Sequence, residues 1–413
     1  MNSENTKPPL SFGEFIVLMA LMMSLVALSI DSMLPALTDI GHDLGVERAN
    51  NNQLIISMLL LGLSIGQMIY GPLSDSTGRK PAIYAGFGLF IIGTLVSLFS
   101  TTFPIMLTGR LLQGVGAAGP RIVTIALIRD QYEGRAMARV MSFIMAVFIL
   151  VPAVAPSFGQ AVLFVAPWRA LFGVFLLMAA IAVTWFAIRQ PETLPTDRRR
   201  PFSLNRIAMG VREVLTTRTS FGYTIAAGVV FGGFMGYLNS AQQIFQVQYG
   251  LGNLFPLFFS VLALAIGGAS LVNARLVTQF GMRALSNRAL LTISGLSLLF
   301  LPVAFLFGGQ PPLWLLMGYF VISFFCIGLL FGNLNAMAME PLGHIAGIGA
   351  AVVGSLSTFI AVMLGLVIGQ NYNGTVLPII TGFALLGVSS LMVMRWVEGQ
   401  EQPSGEPVLE ESA

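Results

Sequence analysis

Gly71-Pro72-Leu73-Ser74-Asp75-Ser76-Thr77-Gly78-Arg79-Lys80-Pro81 sets charge, glycine and proline between two long apolar runs. A helix crosses a hydrocarbon core with roughly 20 apolar residues, its backbone polar groups satisfied internally. The flanking runs 53–71 and 82–101 meet that length, so the stretch reads as the connection between two membrane spans. Composition extends the reading to the whole chain: 55% of its 413 residues are hydrophobic and 9% charged, against roughly 25% charged in a soluble domain. A water-soluble helical core would need polar faces at helical spacing, and these runs lack them. Working outward, further spans fall at 15–37, 104–128, 140–164, 168–188, 221–244, 256–272, 289–307, 313–336, 347–370 and 376–396. The first is too long for a signal-peptide core, and no small-x-small cleavage site follows it. The expected fold is an all-α membrane protein of twelve transmembrane helices in two six-helix halves.

Lys and Arg collect on the cytoplasmic side of membrane proteins. With the amino terminus inside, all but four of the 21 basic residues fall on that side; Arg48 and Arg169 lie outside, and Arg110 and Arg121 lie within the fourth span. The net charge of +3 is therefore a topology signal spread over separate inner loops, not a nucleic-acid footprint. The longest polar interruption, Gln190 to Ser220, carries three prolines and the Arg198-Arg199-Arg200 run. It divides the chain into a cytoplasmic tail (1–14), a first half (15–189), a cytoplasmic central loop (190–220), a second half (221–397) and a cytoplasmic tail (398–413) that is acidic and disorder-prone. Gly71 to Lys80 aligns weakly with Ala274 to Arg283, sharing leucine, glycine and a terminal base, as parallel repeats would. One cysteine, Cys326, excludes an internal disulfide.

Charges inside the bilayer are costly and mark function. Asp31 is the sole carboxylate deep in a span. It stands six residues before Leu37 and Arg110 six after Pro104, so both lie about 9 Å inside the same boundary and can pair across one cavity. Arg121, eleven residues past Arg110, shares its helix face. A carboxylate here changes protonation with hydration and with a moving basic partner, which makes Asp31 and Arg110 the candidate proton-coupling groups. In the quoted stretch, Gly71 and Gly78 permit close approach and unusual backbone angles, while Asp75, Arg79 and Asp130 can form a breakable latch with helix ends. Pro152 and Pro156 bend the fifth span, which small neighbours let pack near Gly267 and Gly268. The second half has no deep charge; its cavity candidates are Tyr237, Asn239, Gln243, Asn333 and Phe359, joined from the first half by Asp31, Gln113 and Arg121. An apolar wall with scattered uncharged polar groups suits chemically varied amphipathic ligands.

These motifs together resemble the twelve-helix drug/proton antiporters of the major facilitator superfamily, and among them the bicyclomycin/chloramphenicol-resistance (Bcr/CflA) group. Asp31-Ser-Met-Leu-Pro35-Ala-Leu37 is similar to that group's first-span signature, Gly71 to Pro81 to its loop between spans two and three, and Arg110-Leu-Leu-Gln113-Gly114-Val-Gly116 with Ile128 to Tyr132 to its fourth span. Pro152-Ala-Val-Ala155-Pro156-Ser-Phe-Gly159 resembles the antiporter motif, with Ala155 and Gln160 replacing two of its glycines; Trp168-Arg169 and Pro191-Glu192-Thr193-Leu194 match the ends of span six. Ser76 stands where a base is frequent, and Arg121 has no counterpart. The resemblance implies that the latch closes the cytoplasmic gate in the outward-open state, and that Pro152, Pro156 and Gly159 set the chain to antiport.

The expected function is proton-coupled efflux of small amphipathic drugs, of amphenicol or bicyclomycin type, across a bacterial inner membrane by alternating access. Both termini are cytoplasmic, the proton gradient is the energy source, and the unit is a monomer in the lipid bilayer with no cofactor, metal or nucleic acid. A metabolite importer or exporter is the alternative, and a non-transporting receptor or scaffold a remoter one. An enzyme is not expected: His42 and His344 fall in loops without a paired metal motif. Nor is a primary pump, since neither Lys7 nor Lys80 follows a phosphate-cradling glycine loop.

Overall fold

The computed structural model describes residues 10–399. Lys7 and most of the two tails lie outside the described residues. In chain order the helices are α1 (Phe12–Asp31), α2 (Leu37–Asp43), α3 (Leu54–Thr77), α4 (Arg79–Leu98), α5 (Phe103–Gln131), α6 (Gly134–Leu163), α7 (Arg169–Arg189), α8 (Leu204–Thr216), α9 (Arg218–Gln242), α10 (Phe255–Phe280), α11 (Met282–Leu306), α12 (Leu313–Met339), α13 (Ala346–Gln370) and α14 (Leu377–Glu398). Among the described residues, eleven apolar helical stretches are long enough to cross a membrane. One of them, Leu313–Gln370, holds both α12 and α13, parted by the 3-10 turn Glu340–Ile345, which gives twelve crossings. The protein is therefore a multi-pass, all-helical membrane protein.

The first crossing is broken. α1 stops at Asp31, a 3-10 turn spans Leu34–Ala36, and α2 carries the chain on to Asp43. Pro35 is the cause: lacking an N–H, it cannot bond the carbonyl four residues back, that of Asp31. The seventh crossing also changes hand-hold, with α9 passing into a π-helical turn at Gln243–Gln248. Such turns are rare and recur at functional sites.

The quoted stretch is far less of a loop than its composition suggests. α3 runs through Gly71 and Pro72 to Thr77, with Ser74 and Thr77 returning their hydroxyls to the carbonyls of Gly71 (2.9 Å) and Leu73 (2.8 Å). Gly78 alone is non-helical, at φ 108°, a backbone angle that favours glycine. Gly71 needs no such freedom. The central segment also differs from a plain loop, because α8 is a formed helix with Gly210 and Val214 buried, Gly210 against Ile348 of α13. His42 sits in α2 and His344 in the 3-10 turn, not in loops.

The starts of α1, α4 and α6, the ends of α3, α5 and α7, and the central segment all meet at one end, here called the basic end. Within the first half α5 packs on both α3 and α4, and α6 crosses to α10 of the second half, where Ser260 donates to the Ala153 carbonyl. α3 lies along α13, making the other long contact between halves.

Candidate functional site at the break in the first crossing

Asp31 is the last residue of α1 and only 5% exposed. Among the described residues its carboxylate makes no hydrogen bond or ion pair. Arg110 on α5 is fully buried close by, yet the two do not pair as their depths suggest. Arg110 gives Nη2 to the Ser29 carbonyl (2.7 Å), Nε to the Ile55 carbonyl (3.1 Å) and Nη1 to Gln113 Oε1 (2.6 Å). Its guanidinium also stands 5.9 Å from the Phe172 ring. The reason lies in the break: with α1 ending, Met33 N–H bonds Ile30 and leaves the Ser29 carbonyl without its helical donor. Arg110 takes it, a cation at a helix carboxyl end where the macrodipole favours one. The base thus braces the backbone two residues from the acid.

Gln113 is fully buried, its oxygen held by Arg110 and its nitrogen by Thr94 Oγ1 at 3.0 Å, so both ends of its amide are committed to packing and not to a cavity. Gly159 of α6 faces the same break; a Cβ there would run into the carbonyl of Ser32. Arg121 lies further along α5, partly buried.

From the second half Tyr237 enters the site. It is fully buried among Phe245, Phe259, Phe320 and Phe324, the last 4.6 Å away ring to ring, and among the described residues its hydroxyl has no hydrogen-bond partner. Asp31 lies within electrostatic reach of that hydroxyl. Asn239 and Gln243 do not line an open wall but reach across to the first half. Asn239 Oδ1 accepts from Ser57 (3.1 Å), while Gln243 accepts from Gln53 and donates to Asn50 Oδ1 (2.9 Å). Asn50 in turn donates to the carbonyls of Gln370 (3.0 Å) and Tyr372 (2.8 Å), and Gln242 to Thr38 (2.7 Å). Carboxamides therefore seam the halves together at the end opposite the basic one, and Ser355 to the Ser64 carbonyl (2.7 Å) continues the seam to mid-depth. Asn333 is paired reciprocally with Asn273, and Phe359 is 44% exposed on α13.

At the basic end Arg79 is the centre. Its Nη1 meets Asp75 Oδ1 (2.6 Å) and Ser74 Oγ (3.0 Å), and its Nε meets Asp130 Oδ2 (2.7 Å). Arg79 is 8% exposed, Asp130 19% and Asp75 48%, so the Asp130 contact is the better sheltered. Glu192, just past α7, closes the cluster. Its Oε1 accepts from the Arg79 N–H (2.9 Å) and its Oε2 from the Lys80 N–H (2.9 Å), capping α4 from another segment. Burial alone would push the Glu192 carboxyl up, but the N–H groups of Leu194, Lys80, Arg79 and Thr193 outweigh it and hold it below its ordinary value. Lys80 Nζ returns to the Gln190 carbonyl (2.7 Å), and Arg200 N–H to that of Asp75 (2.9 Å). The ion pairs of this cluster are internal to the first half; toward the second, Gly71 faces Ala351 of α13.

A profile of the family described as the Major Facilitator Superfamily matches residues 17–366. The chain belongs to that superfamily. Relatives from the superfamily carry resistance names, in line with the group the motifs resemble. A bicyclomycin resistance protein homolog of Haemophilus influenzae is 29% identical over 372 residues, covering 89% of this chain and 91% of its own. A chloramphenicol resistance protein of Pseudomonas aeruginosa is 26% identical, covering 88% and 87%. An uncharacterised transporter of the superfamily from Bacillus subtilis is 29% identical, covering 86% and 88%. In fold, the xylose transporter of Escherichia coli in a partially occluded inward-open conformation superposes with TM-score 0.71 at 12% identity, covering 94% of this chain and 99% of that one. Family and fold are those of transporters.

Sequence reasoning missed Asn50, Gln53, Ser57 and Ser64 on the superfamily fold's second crossing and its approach. Their signal was available: positions 53, 57 and 64 fall on one helical face, so a polar stripe on an apolar span marks a side that meets protein. Glu192 was noticed as part of a motif, but its capping partners are 113 and 112 residues away and leave no local trace.

Proposed function

We propose that this chain is a proton-coupled exporter of small amphipathic drugs, amphenicol- or bicyclomycin-like molecules among them, across a bacterial inner membrane, with both termini cytoplasmic. The proton gradient supplies the energy, the monomer is the working unit, and the halves rock about the site at Asp31. The observation that carries this reading is Asp31 itself: a lone deep carboxylate, buried and without a bonded partner, at a helix break facing the junction of the halves. An ionised group so placed is costly unless hydrated, paired or protonated, so each change in its surroundings as the halves move changes its hold on a proton. Arg110 keeps the broken helix end in place while Asp31 exchanges its proton. Discontinuous spans at the bilayer midplane are the usual seats of substrate and coupling ion in secondary transporters. The aromatic cluster around Tyr237, fully packed in this structure, becomes an apolar, polarisable surface for drugs when the halves part.

The test uses inverted vesicles with an imposed proton gradient. Asp31→Asn should abolish uphill drug accumulation while leaving the protein folded and downhill exchange intact. Wild-type uphill transport by the variant would remove Asp31 from the coupling role. Accumulation in right-side-out vesicles under the same gradient would instead mark an importer.

A further inference from the structure

The helix joining the halves has an apolar arc wider than the protein surface that covers it. α8 is 13 residues, about 20 Å, too short for a core of about 30 Å. Ile207, Gly210 and Val214 form the covered side, where Gly210 sits against Ile348 of α13 and Glu213 meets His344 at 2.6 Å. At about 100° per residue, Leu204, Ala208, Val211 and Leu215 form an adjoining strip. Leu204 is 72% and Leu215 45% exposed, and Phe202, just before the helix, is 48% exposed. Arg212 borders the strip; Arg206 and, ahead of the helix, Arg198 and Arg200 are exposed as well. Of the acids near them, Asp197 is exposed and Glu213 is engaged by His344, leaving a basic excess.

A short helix with an exposed apolar strip bordered by Arg212, and with Arg198 and Arg200 just ahead of it, lies in the plane of a membrane surface. We infer that α8 is an interfacial helix that inserts Leu204, Leu215 and Phe202 among acyl chains and gathers anionic phospholipid headgroups with Arg212 and, ahead of the helix, Arg198 and Arg200. The occupant is the lipid leaflet at the basic end, selected by charge: three exposed arginines meet negative headgroups, and guanidinium groups suit phosphate bidentately. Because α8 rests on α13 and leads directly into α9, this contact ties the base of the second half to the leaflet. The inference depends on the protein spanning a membrane and is independent of what it carries.

The full chain is reconstituted in phosphatidylcholine or in its mixture with phosphatidylglycerol, with a bimane fluorophore on Leu204→Cys; Cys326 is buried, so the new thiol is the accessible one. Acyl-brominated lipids should quench the fluorophore at position 204 and spare one at Thr216→Cys. Brominated phosphatidylglycerol should out-compete brominated phosphatidylcholine by about fivefold for each arginine that reaches the leaflet. The preference should shrink in Arg212→Gln and Arg200→Gln and in concentrated salt, the salt arm serving even if a variant misfolds. Equal quenching at 204 and 216 would overturn the interfacial placement. A preference ratio near one, or one abolished by inorganic phosphate at constant ionic strength, would overturn lipid headgroups as the occupant.

Discussion

Glu192→Gln isolates the cap on α4. The first N–H groups of a helix have no internal acceptor, and here those of Arg79 and Lys80 are served by one carboxylate at 2.9 Å each, which also accepts from Thr193 and Leu194 at 3.0 Å. Glutamine keeps one acceptor oxygen. In its best orientation that oxygen retains the three donors on Oε1, and the amide NH2 is turned against the Lys80 N–H. An unsatisfied buried donor costs about 1–3 kcal/mol, and losing the negative charge at a helix amino end about 0.3–1 kcal/mol more. With about 2 kcal/mol as the central value, local opening rises roughly 30-fold. Hydrogen exchange of the peptide covering 78–84 in detergent or nanodiscs measures it, with the interior of α4 as control. The pH dependence has a definite sign. The Glu192 carboxyl is held below its unfolded value of about 4.3, so its stabilisation is complete above that pH and is lost as pH falls through the lower, folded value. The ratio of exchange between variant and wild type should therefore stay constant from neutral pH down to the ordinary carboxylate range and collapse only in stronger acid. Identical exchange of the two proteins at neutral pH would refute the capping argument.

Arg110→Lys keeps the charge but loses the planar fork, so at most part of the Ser29, Ile55 and Gln113 set can be served; denaturant unfolding in micelles should show a loss of about 2–4 kcal/mol, and a loss below 0.5 kcal/mol (about the noise of surface changes) would disprove the bracing role. Gly159→Val should displace α6 from Ser32 and cut both transport and the denaturation midpoint, whereas Gly268→Ala, at a position with open space around it, should be near neutral; equal effects of the two would contradict the close approach. Tyr237→Phe deletes a buried hydroxyl that bonds none of the described residues, so stability should hold or rise by about 1 kcal/mol; a clear drop would mean that the hydroxyl has a partner.

The crossings were readable because apolar length alone reports them, and the basic-end cluster because its charges are adjacent in sequence or sit at a helix terminus. What escaped has a common physical origin. The pairing expected of Asp31 with Arg110 rested on depth along two straight helices, but Pro35 breaks the first and frees a carbonyl that outcompetes the acid for the guanidinium. α8 was hidden by composition: the prolines and the Arg198-Arg199-Arg200 run that mark the segment lie ahead of it, and its own apolar positions are too few to register beside the spans. Asn239 and Gln243 were placed on a cavity wall because polar groups in an apolar helix invite that reading; their true partners, Ser57, Gln53 and Asn50, are about 180 to 190 residues away, a separation no periodicity reports.

The seam formed by Asn50, Gln53, Ser57, Asn239 and Gln243 contains no ion, whereas the Arg79 cluster is built of ions. A carboxamide offers both a donor and an acceptor, so water can replace each link in turn without stranding a charge in hydrocarbon. Separation on that side can proceed through many shallow intermediate states, each close in free energy to the next. The two faces of the molecule should then answer to different variables. Ionic strength reaches the exposed Asp75–Arg79 link through screening, while the carboxamide side is governed by water activity and responds to osmolytes that withdraw water from narrow clefts.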